Sequence, residues 1–541
     1  DPWVLGGIMA ESLYDQFFEV VKKYPKYTAI RFEKKKWSYK KTNKLILECE
    51  RKLTSLGIKK GDVLTVALPN CPYSIFLFYA INKKGAISYN IHPLTPSETI
   101  EEMMDKVSSK TLICLSLNAK EASEKLAQDK KIITINPYLG ASPLKRAFVR
   151  CKAKKCSRAT NFAFVKKAKK IEPIIINKED DAVYLNTGGT NGAPKVVRMS
   201  NRAINHVGAN SYQLIGGPYQ SIRILTAIPL FHVFGLEMGV HTPLSFGGQS
   251  VLMLRFHTKE AIAHMKSGRS TVLLGVPSLY NALLSRDSFY GKHLRKQVTA
   301  FIGGDTVPES LLNRWNQAMV KYGSDARLYE GYGLTEAGVA IVSTKGRSKK
   351  GSIGTPLPGI KVKILDIETH KEVENGKLGE IAIGGPSVMS GYFKDDKLNK
   401  EDLIDIDGVR YFLTKDYGYC DKDGYGYFKQ RMRRIVKING ETLCPSDVED
   451  AVLTLEDVFD AYCYGVPNKR KGAAFRLIVV KRDGDHPKTE EQVKELINEK
   501  INSLLPPSYL PEKIFFVSRL PRTPIGKVDS KEIEKNPQYF N

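Results

Sequence analysis

Short apolar runs alternate with amphipathic segments of helical period through the first 300 residues of this 541-residue chain. Segments 13–24 and 42–56 gather apolar side chains on one face, with Leu13, Phe17, Val20 and Val21 in the first. Runs 63–68, 86–90, 111–115, 222–227, 250–254, 271–275 and 299–302 read as strands, with helices such as 73–82 between them. This alternation predicts layered α/β architecture. Several runs end in Gly, Pro or a polar residue, and open α/β sheets take ligands outside the carboxyl ends of their strands. From residue 351 the texture changes. Segments 360–366, 379–384 and 425–428 predict β-rich structure with glycine turns. Beyond about Arg431 lies a shorter unit, with strands at 435–438, 461–465 and 475–480 and helices at 446–454 and 490–504. The expected fold class is α/β. A large N-terminal domain over 1–431 would hold layered sheets and a β-rich subdomain, and a small α+β domain would occupy 432–541. The chain is too long for one typical domain.

One loop carries the strongest chemical signal. A strand-like segment, 182–185, runs into Thr187-Gly188-Gly189-Thr190-Asn191-Gly192-Ala193-Pro194-Lys195, and a helix is expected at 202–210. Glycine lets backbone approach a ligand closely, and successive amides form a concave nest for an anion. Hydroxyls and Lys195 complete a phosphate-binding composition. The loop is not a Walker A motif, because Pro194 precedes the lysine and Val196 follows it. The plainer alternative is a surface turn.

Three further motifs follow. In Tyr329-Glu330-Gly331-Tyr332-Gly333-Leu334-Thr335-Glu336, the aromatic suits a base, the hydroxyl a phosphate, and Glu336 a magnesium ion; the alternative is a tight turn with a solvent-facing acid. In Thr414-Lys415-Asp416-Tyr417-Gly418, an ionised Asp416 suits the two hydroxyls of a ribose, and Arg431 lies downstream. Near the end, Pro524-Ile525-Gly526-Lys527 presents a lysine behind a shaped loop; the alternative is one more solvated lysine.

In this order and spacing, the four motifs resemble the acyl-adenylate-forming superfamily of acyl-CoA synthetases, peptide-synthetase adenylation domains and luciferases. The resemblance covers roughly 12–535. Supporting segments are Ile228-Pro229-Leu230-Phe231-His232-Val233-Phe234-Gly235, Gly303-Gly304-Asp305, Gly351-Ser352-Ile353-Gly354 and Gly379-Glu380. The resemblance implies that Thr187–Lys195 embraces the β- and γ-phosphates of ATP. Gly303, Gly304, Asp305 and the Glu330–Gly333 segment would line the adenine. Thr335 would touch the α-phosphate and Glu336 would bind Mg²⁺. Asp416, helped by Arg431, would hold the ribose. Lys527 would bridge the carboxylate and the α-phosphate. Phe231, His232, Val233, Phe234 and Gly235 would form the acyl pocket, with His232 at its mouth. A hinge at Arg433 would exchange Lys527 for the loop around Lys437, which would face the thiol tunnel. The sequence departs from the family at Asn191, Val196, Lys415, Gln430 and Arg433, where Thr, Gly, Gly, Gly and Asp or Lys are usual.

The acyl segment is apolar, and Glu237 is the only acid in 228–240. An apolar carboxylic acid is therefore expected as substrate, with coenzyme A as acceptor because no carrier domain follows Asn541. Loading of a carrier protein and a luciferase-like oxygenation share these motifs and stay open. The net charge of +25 suits anionic partners. Eleven basic residues and no acid fall within 142–170, interleaved with Leu144, Phe148, Val149, Phe162, Phe164 and Val165. Either a solvated insertion or contact with an anionic membrane surface would explain that stretch. A nucleic-acid-binding protein and a silent scaffold are the rivals from other classes. No recognisable nucleic-acid module is present, and retention of Lys195, Glu336, Asp416, Arg431 and Lys527 speaks against a silent relative. The scattered cysteines form no metal-binding spacing and suit a reducing, cytoplasmic setting. No secretory signal or membrane span is read.

Overall fold

The computed structural model describes residues 10–153, 156–187, 195–439, 441–468, 470–482, 488–522 and 528–536. The chain forms two compact units: the first takes the chain up to Val362 together with Ala382–Leu413, and the second Lys363–Ile381 and everything from Thr414. The chain passes from one to the other within the strands Lys361–Leu365, Gly379–Gly384 and Val409–Cys420. The sequence-drawn boundary near 430–434 falls inside the second unit.

Two mixed sheets build the first unit. One orders its nine strands Thr355–Pro356, Gly338–Val342, Leu328–Leu334, Thr299–Gly303, Val272–Gly275, Arg223–Thr226, Gln249–Leu252, Thr28–Phe32 and Lys35–Ser38. It is parallel from Thr28–Phe32 to Leu328–Leu334 and antiparallel toward both edges. The other orders Gly391–Tyr392, Val196–Ser200, Asp181–Asn186, Ile87–Asn90, Val63–Ala67, Thr111–Leu115, Lys131–Ile135 and Ala159–Asn161, and is parallel from Asp181–Asn186 onward. Helices supply the crossovers, as parallel strands require.

Local sequence explains the packing. Ser12 caps the helix Leu13–Lys23 by accepting the Asp15 amide, and Leu13, Phe17, Val20 and Val21 are buried as their spacing predicts. The helix Pro72–Lys83 is apolar all round and buried from Ile75 to Asn82, which fits a helix enclosed on every side. On the nine-stranded sheet, Leu225, Val251, Leu273, Ile302 and Leu328 share a core with Ile262, Met265, Tyr280 and Trp315 from three covering helices. Each such side chain stabilises the fold by about 1.5–3 kcal/mol through burial.

The basic segment is woven into this unit. Residues Ala159–Asn161 form the edge strand of the eight-stranded sheet, Phe162 is buried, and Lys52 Nζ donates to the Phe162 and Ala163 carbonyls. Val149 turns inward from the helix Pro143–Lys152, while Leu144, Phe148 and Phe164 stay exposed. Among the described residues no helix is long and apolar enough to cross a membrane.

In the second unit, helices Pro445–Val452 and Glu490–Leu504 pack on the sheet Val458–Asn468, Gly472–Lys481, Lys513–Val517. A hairpin, Val436–Ile438 and Glu441–Leu443, lies beside them and joins their core through Val436, Ile438 and Leu443.

Candidate active site

The expected phosphate loop joins Asp181–Asn186 to Val196–Ser200, which pair antiparallel. Its ends are clasped, for the Thr187 amide donates to the Lys195 carbonyl at 3.0 Å. Gly188, Gly189, Thr190, Asn191 and Gly192 lie outside the described residues. Lys195 Nζ stands 3.8 Å from Asp402 Oδ2 and 5.1 Å from the Tyr392 ring centre. The Tyr392 hydroxyl is 3.1 Å from both Glu336 Oε1 and Asp402 Oδ2. Burial and then the neighbouring carboxylates of Glu336 and Asp402 push that phenol far above the usual tyrosine value. One phenol thus links the acid expected to hold magnesium to the lysine expected to hold phosphate.

Strand pairing places Tyr392 there. Gly391 and Tyr392 pair with Arg198 and Val197, on the strand that begins just after Lys195. Asn399, on the helix Asp396–Asp402, accepts the Tyr392 amide and donates back to its carbonyl. The same helix delivers Asp402, which is buried. Neither Tyr392 nor Asp402 belongs to a motif read from the sequence, because no local spacing joins them to Glu336, 56 and 66 positions away. Glu336 offers hard carboxylate oxygens, the donor type magnesium takes, on a side chain that Tyr392 orients. The residues fit the ion.

Tyr329–Leu334 is a strand rather than a turn, and it lies in register with Thr299–Gly303. Gly303 pairs with Gly331, where a Cβ on Gly303 would come within 2.4 Å of the Gly331 carbonyl oxygen. Only glycine permits that approach. Gly304 and Asp305 follow at the carboxyl end of the strand and are exposed, while Tyr332, Thr335 and Glu336 are half-buried. Burial pushes the Glu330 carboxyl up to about 8.

The acyl segment follows the strand Arg223–Thr226. Asn70 holds its entrance by donating to the Thr226 and Ile228 carbonyls and accepting the Leu230 amide. His232 caps the short helix Val233–Leu236, and Gly235 packs so closely that a Cβ would meet the Pro229 carbonyl oxygen at 2.3 Å. A largely apolar cavity lies between Leu230, Phe231, Leu236, Val240, Ile75 and Phe78. Of the expected pocket residues, only Phe231 lines it. Val233 and Gly235 are buried, and His232 and Phe234 are half-buried. The helix continues as a π-turn, Glu237–His241. Glu237 is fully buried; its Oε2 accepts the Val339 amide at 3.3 Å, and burial pushes its carboxyl up to about 8.

In the second unit, Asp416 and Arg431 are register partners on paired strands, with Arg431 Nη1 3.0 Å from Asp416 Oδ1. Asp416 is buried, and its amide donates to the Thr414 hydroxyl. Lys415, where the family carries glycine, sits at φ 58°. Its amide donates to Glu380 Oε1 at 2.7 Å, which gives that buried acid a purpose. Gln430, a second departure, is buried and accepts the Ser446 amide. Arg433 is exposed. Its neighbour Arg434 is anchored, paired with Glu449 and stacked on Tyr462 at 4.7 Å. Lys437 is exposed on the strand Val436–Ile438, 3.6 Å from Glu368. Lys527 lies outside the described residues.

Known proteins share both the sequence family and the fold. The family model of AMP-binding enzymes matches residues 17–393, and that of the AMP-binding enzyme C-terminal domain matches 447–527. A long-chain-fatty-acid–CoA ligase of Bacillus subtilis (strain 168) is 28% identical over 526 residues, covering 94% of this chain and 91% of its own. A 4-coumarate–CoA ligase-like protein 8 of Arabidopsis thaliana is 26% identical, covering 89% of this chain and 84% of its own. The crystal structure of ATP-bound MatB from Rhodopseudomonas palustris superposes with a TM-score of 0.83 at 22% identity, covering 96% of this chain and 98% of that one. The first match spans more than half of the chain, and the chain belongs to the AMP-binding enzyme family.

Proposed function

We propose that the protein is an ATP-dependent acid–thiol ligase that activates an apolar carboxylic acid, fatty or aryl, and passes it to coenzyme A. The observation that carries this reading is the Glu336–Tyr392–Asp402–Lys195 group, which sets a magnesium-type acid and a phosphate-type lysine around one tyrosine. Relatives that are fatty-acid and coumarate-like CoA ligases support it. In the first half-reaction a carboxylate oxygen attacks the α-phosphorus, the bond to the β-phosphate bridge breaks, and pyrophosphate leaves. Both reactants are anions, so cationic side chains lower the barrier by stabilising charge in the transition state. Lys195 at the phosphates and Lys527 between the carboxylate and the α-phosphate take that part. Glu336 would hold a magnesium ion, which when bound would supply charge neutralisation on the phosphates. Gly303, Gly304, Asp305 and Tyr332 receive the base, and Asp416 with Arg431 the ribose. In the second half-reaction the coenzyme sulfur attacks the acyl carbonyl and AMP leaves. Residues 432–541 act as the mobile part, turning at Arg433 so that Lys437 replaces Lys527 beside the thiol. The exposed Arg433 beside the anchored Arg434 suits a pivot. Eight cysteines, all free thiols, suit a reducing cytoplasm.

Pyrophosphate release over a panel of straight-chain and aryl acids, with and without coenzyme A, tests the reading. Acid-dependent release and a thioester product are expected. Lys527→Ala should slow acyl-AMP formation about a hundredfold, with ATP binding retained. Absence of release for every acid would refute the assignment.

A further inference from the structure

One face of the nine-stranded sheet carries a concentration of cations that the ligase reading does not use. Arg223 and Gln249 open neighbouring strands and are register partners; Arg31 lies on the next strand as the partner of Val251. Rungs of a parallel sheet share a face, and alternate residues return to it. Arg223, Gln249, Leu225, Val251 and Arg31 therefore project to one side. The helix Thr258–Lys266 covers that side, since Leu225 and Val251 share a core with Ala261, Ile262 and Met265. The helix brings His264, which is 5% exposed, and the exposed Arg269 follows just beyond its end.

Three buried donors in this group have no acceptor among the described residues: Nε of Arg31, Nε of Arg223 and Nε2 of Gln249, whose residue is 6% exposed. Nδ1 of His264 is buried without a partner as well. The charges press on one another. Burial, then Arg269 and Arg223, hold the Arg31 guanidinium below the usual arginine value. Burial lowers His264 too, and Arg269 and Arg31 add to that against the pull of Glu260. Glu260 is the one acid that pairs with this group among the described residues. It reaches His264 at 3.7 Å, too long for a hydrogen bond, and is itself half-exposed.

Leaving donors buried and unpaired is costly, and packing like charges together adds to the cost. An oxyanion removes both penalties. Guanidinium forks donate in pairs to phosphate oxygens, and an amide NH₂ supplies a neutral donor beside them. Three formal positive charges match a dianion better than a single carboxylate. We propose that Arg31, Arg223, Gln249 and Arg269 form a binding site for a small phosphate dianion. Arg223 and Gln249 stand at the opposite end of their strands from Gly303–Asp305 and Phe231–His232, which follow carboxyl ends, and Arg31 lies two rungs further along the same face. The proposal therefore stands independently of the ligase reading.

The full chain is titrated with inorganic phosphate against chloride at constant ionic strength, following thermal stability and calorimetric heat. A saturable, stabilising event with a dissociation constant of about 1 mM or tighter is expected. Arg269→Gln, at an exposed position, should weaken it about tenfold with the ligand-free melting temperature retained, and Arg31→Gln should remove it. Lys195→Ala, beside a strand of the eight-stranded sheet, should leave it in place. A parallel titration with pyrophosphate identifies the source. Tighter binding that Arg269→Gln abolishes names the ligase product as ligand, whereas weaker binding names free phosphate, and either outcome supports the site. No saturable event with either anion, or one lost in Lys195→Ala and untouched in Arg269→Gln, overturns it.

Discussion

Glu237 in the acyl segment and Asp416 in the paired strands of the second unit are 0% and 1% exposed, yet only Asp416 faces a cation. Sheet register sets Arg431 directly across from Asp416, so a charged pair forms as a consequence of strand pairing. Glu237 leaves a π-turn and meets backbone, the Val339 amide, with no lysine or arginine paired to it among the described residues. Equal burial thus produces two chemistries. One acid is held against a guanidinium. The other is enclosed with a backbone amide as its partner, and burial pushes its carboxyl up to about 8. Burial alone does not say what an acid does; the element opposite it does.

The sharpest way to break this contrast is a pH series. The folded carboxyl of Glu237 is pushed up to about 8 from an ordinary value near 4.5. Its proton is therefore bound more tightly in the folded chain. Stability relative to Glu237→Gln is full below pH 4.5 and is lost as pH rises toward 8, at no more than about 1.4 kcal/mol per pH unit. Thermal melts of both proteins from pH 5 to 8 should show the parent losing stability relative to the variant at each step. A constant gap would mean that the acid is charged throughout. Next in size, Asp416→Ala removes the paired acid and the hydrogen bonds to ribose that we propose for it. The KM for ATP should rise about thirtyfold, in line with roughly 2 kcal/mol for a charge-assisted bond. An unchanged KM would leave the Asp416–Arg431 pair a purely structural feature.

Tyr392→Phe sharpens the comparison from the first unit, because it removes only the hydroxyl shared by Glu336 and Asp402. We expect the KM for magnesium-ATP to rise about fivefold, worth roughly 1 kcal/mol, with thermal stability little changed. A fall in stability without a change in KM would assign the tyrosine to packing. Smallest is Lys415→Gly. A non-glycine residue at φ 58° pays about 1 kcal/mol, part of which glycine returns as chain entropy. A gain of about 0.5 kcal/mol in urea unfolding is expected, and a loss would show that the lysine side chain matters more than the turn.

Much of the fold was legible beforehand for a simple reason. Buried parallel strands such as 111–115 and amphipathic helices such as 490–504 announce themselves by local composition and period, and both match the structure's bounds. The segment 329–336 was less legible: its glycines left a tight turn open as the plainer alternative, whereas the segment runs as a strand in which Gly333 permits close approach to the Gly338 carbonyl. The basic stretch 142–170 read as an insertion, yet Phe162 and the strand Ala159–Asn161 tie it into the sheet. Charge dominated its composition and hid the one aromatic that packs.

Sequence by itself determined the α/β layering, the order of the motifs and the identity of Lys195, Glu336, Asp416 and Arg431 as the residues to inspect, because each depends on residue type and short spacing. Tertiary structure alone decided that Tyr392 and Asp402 stand between Glu336 and Lys195, that Glu237 has backbone for a neighbour, and that three arginines from two strands and a loop gather on one sheet face. These are meetings of side chains far apart along the chain. Strand order and register bring them together, and no local pattern encodes strand order.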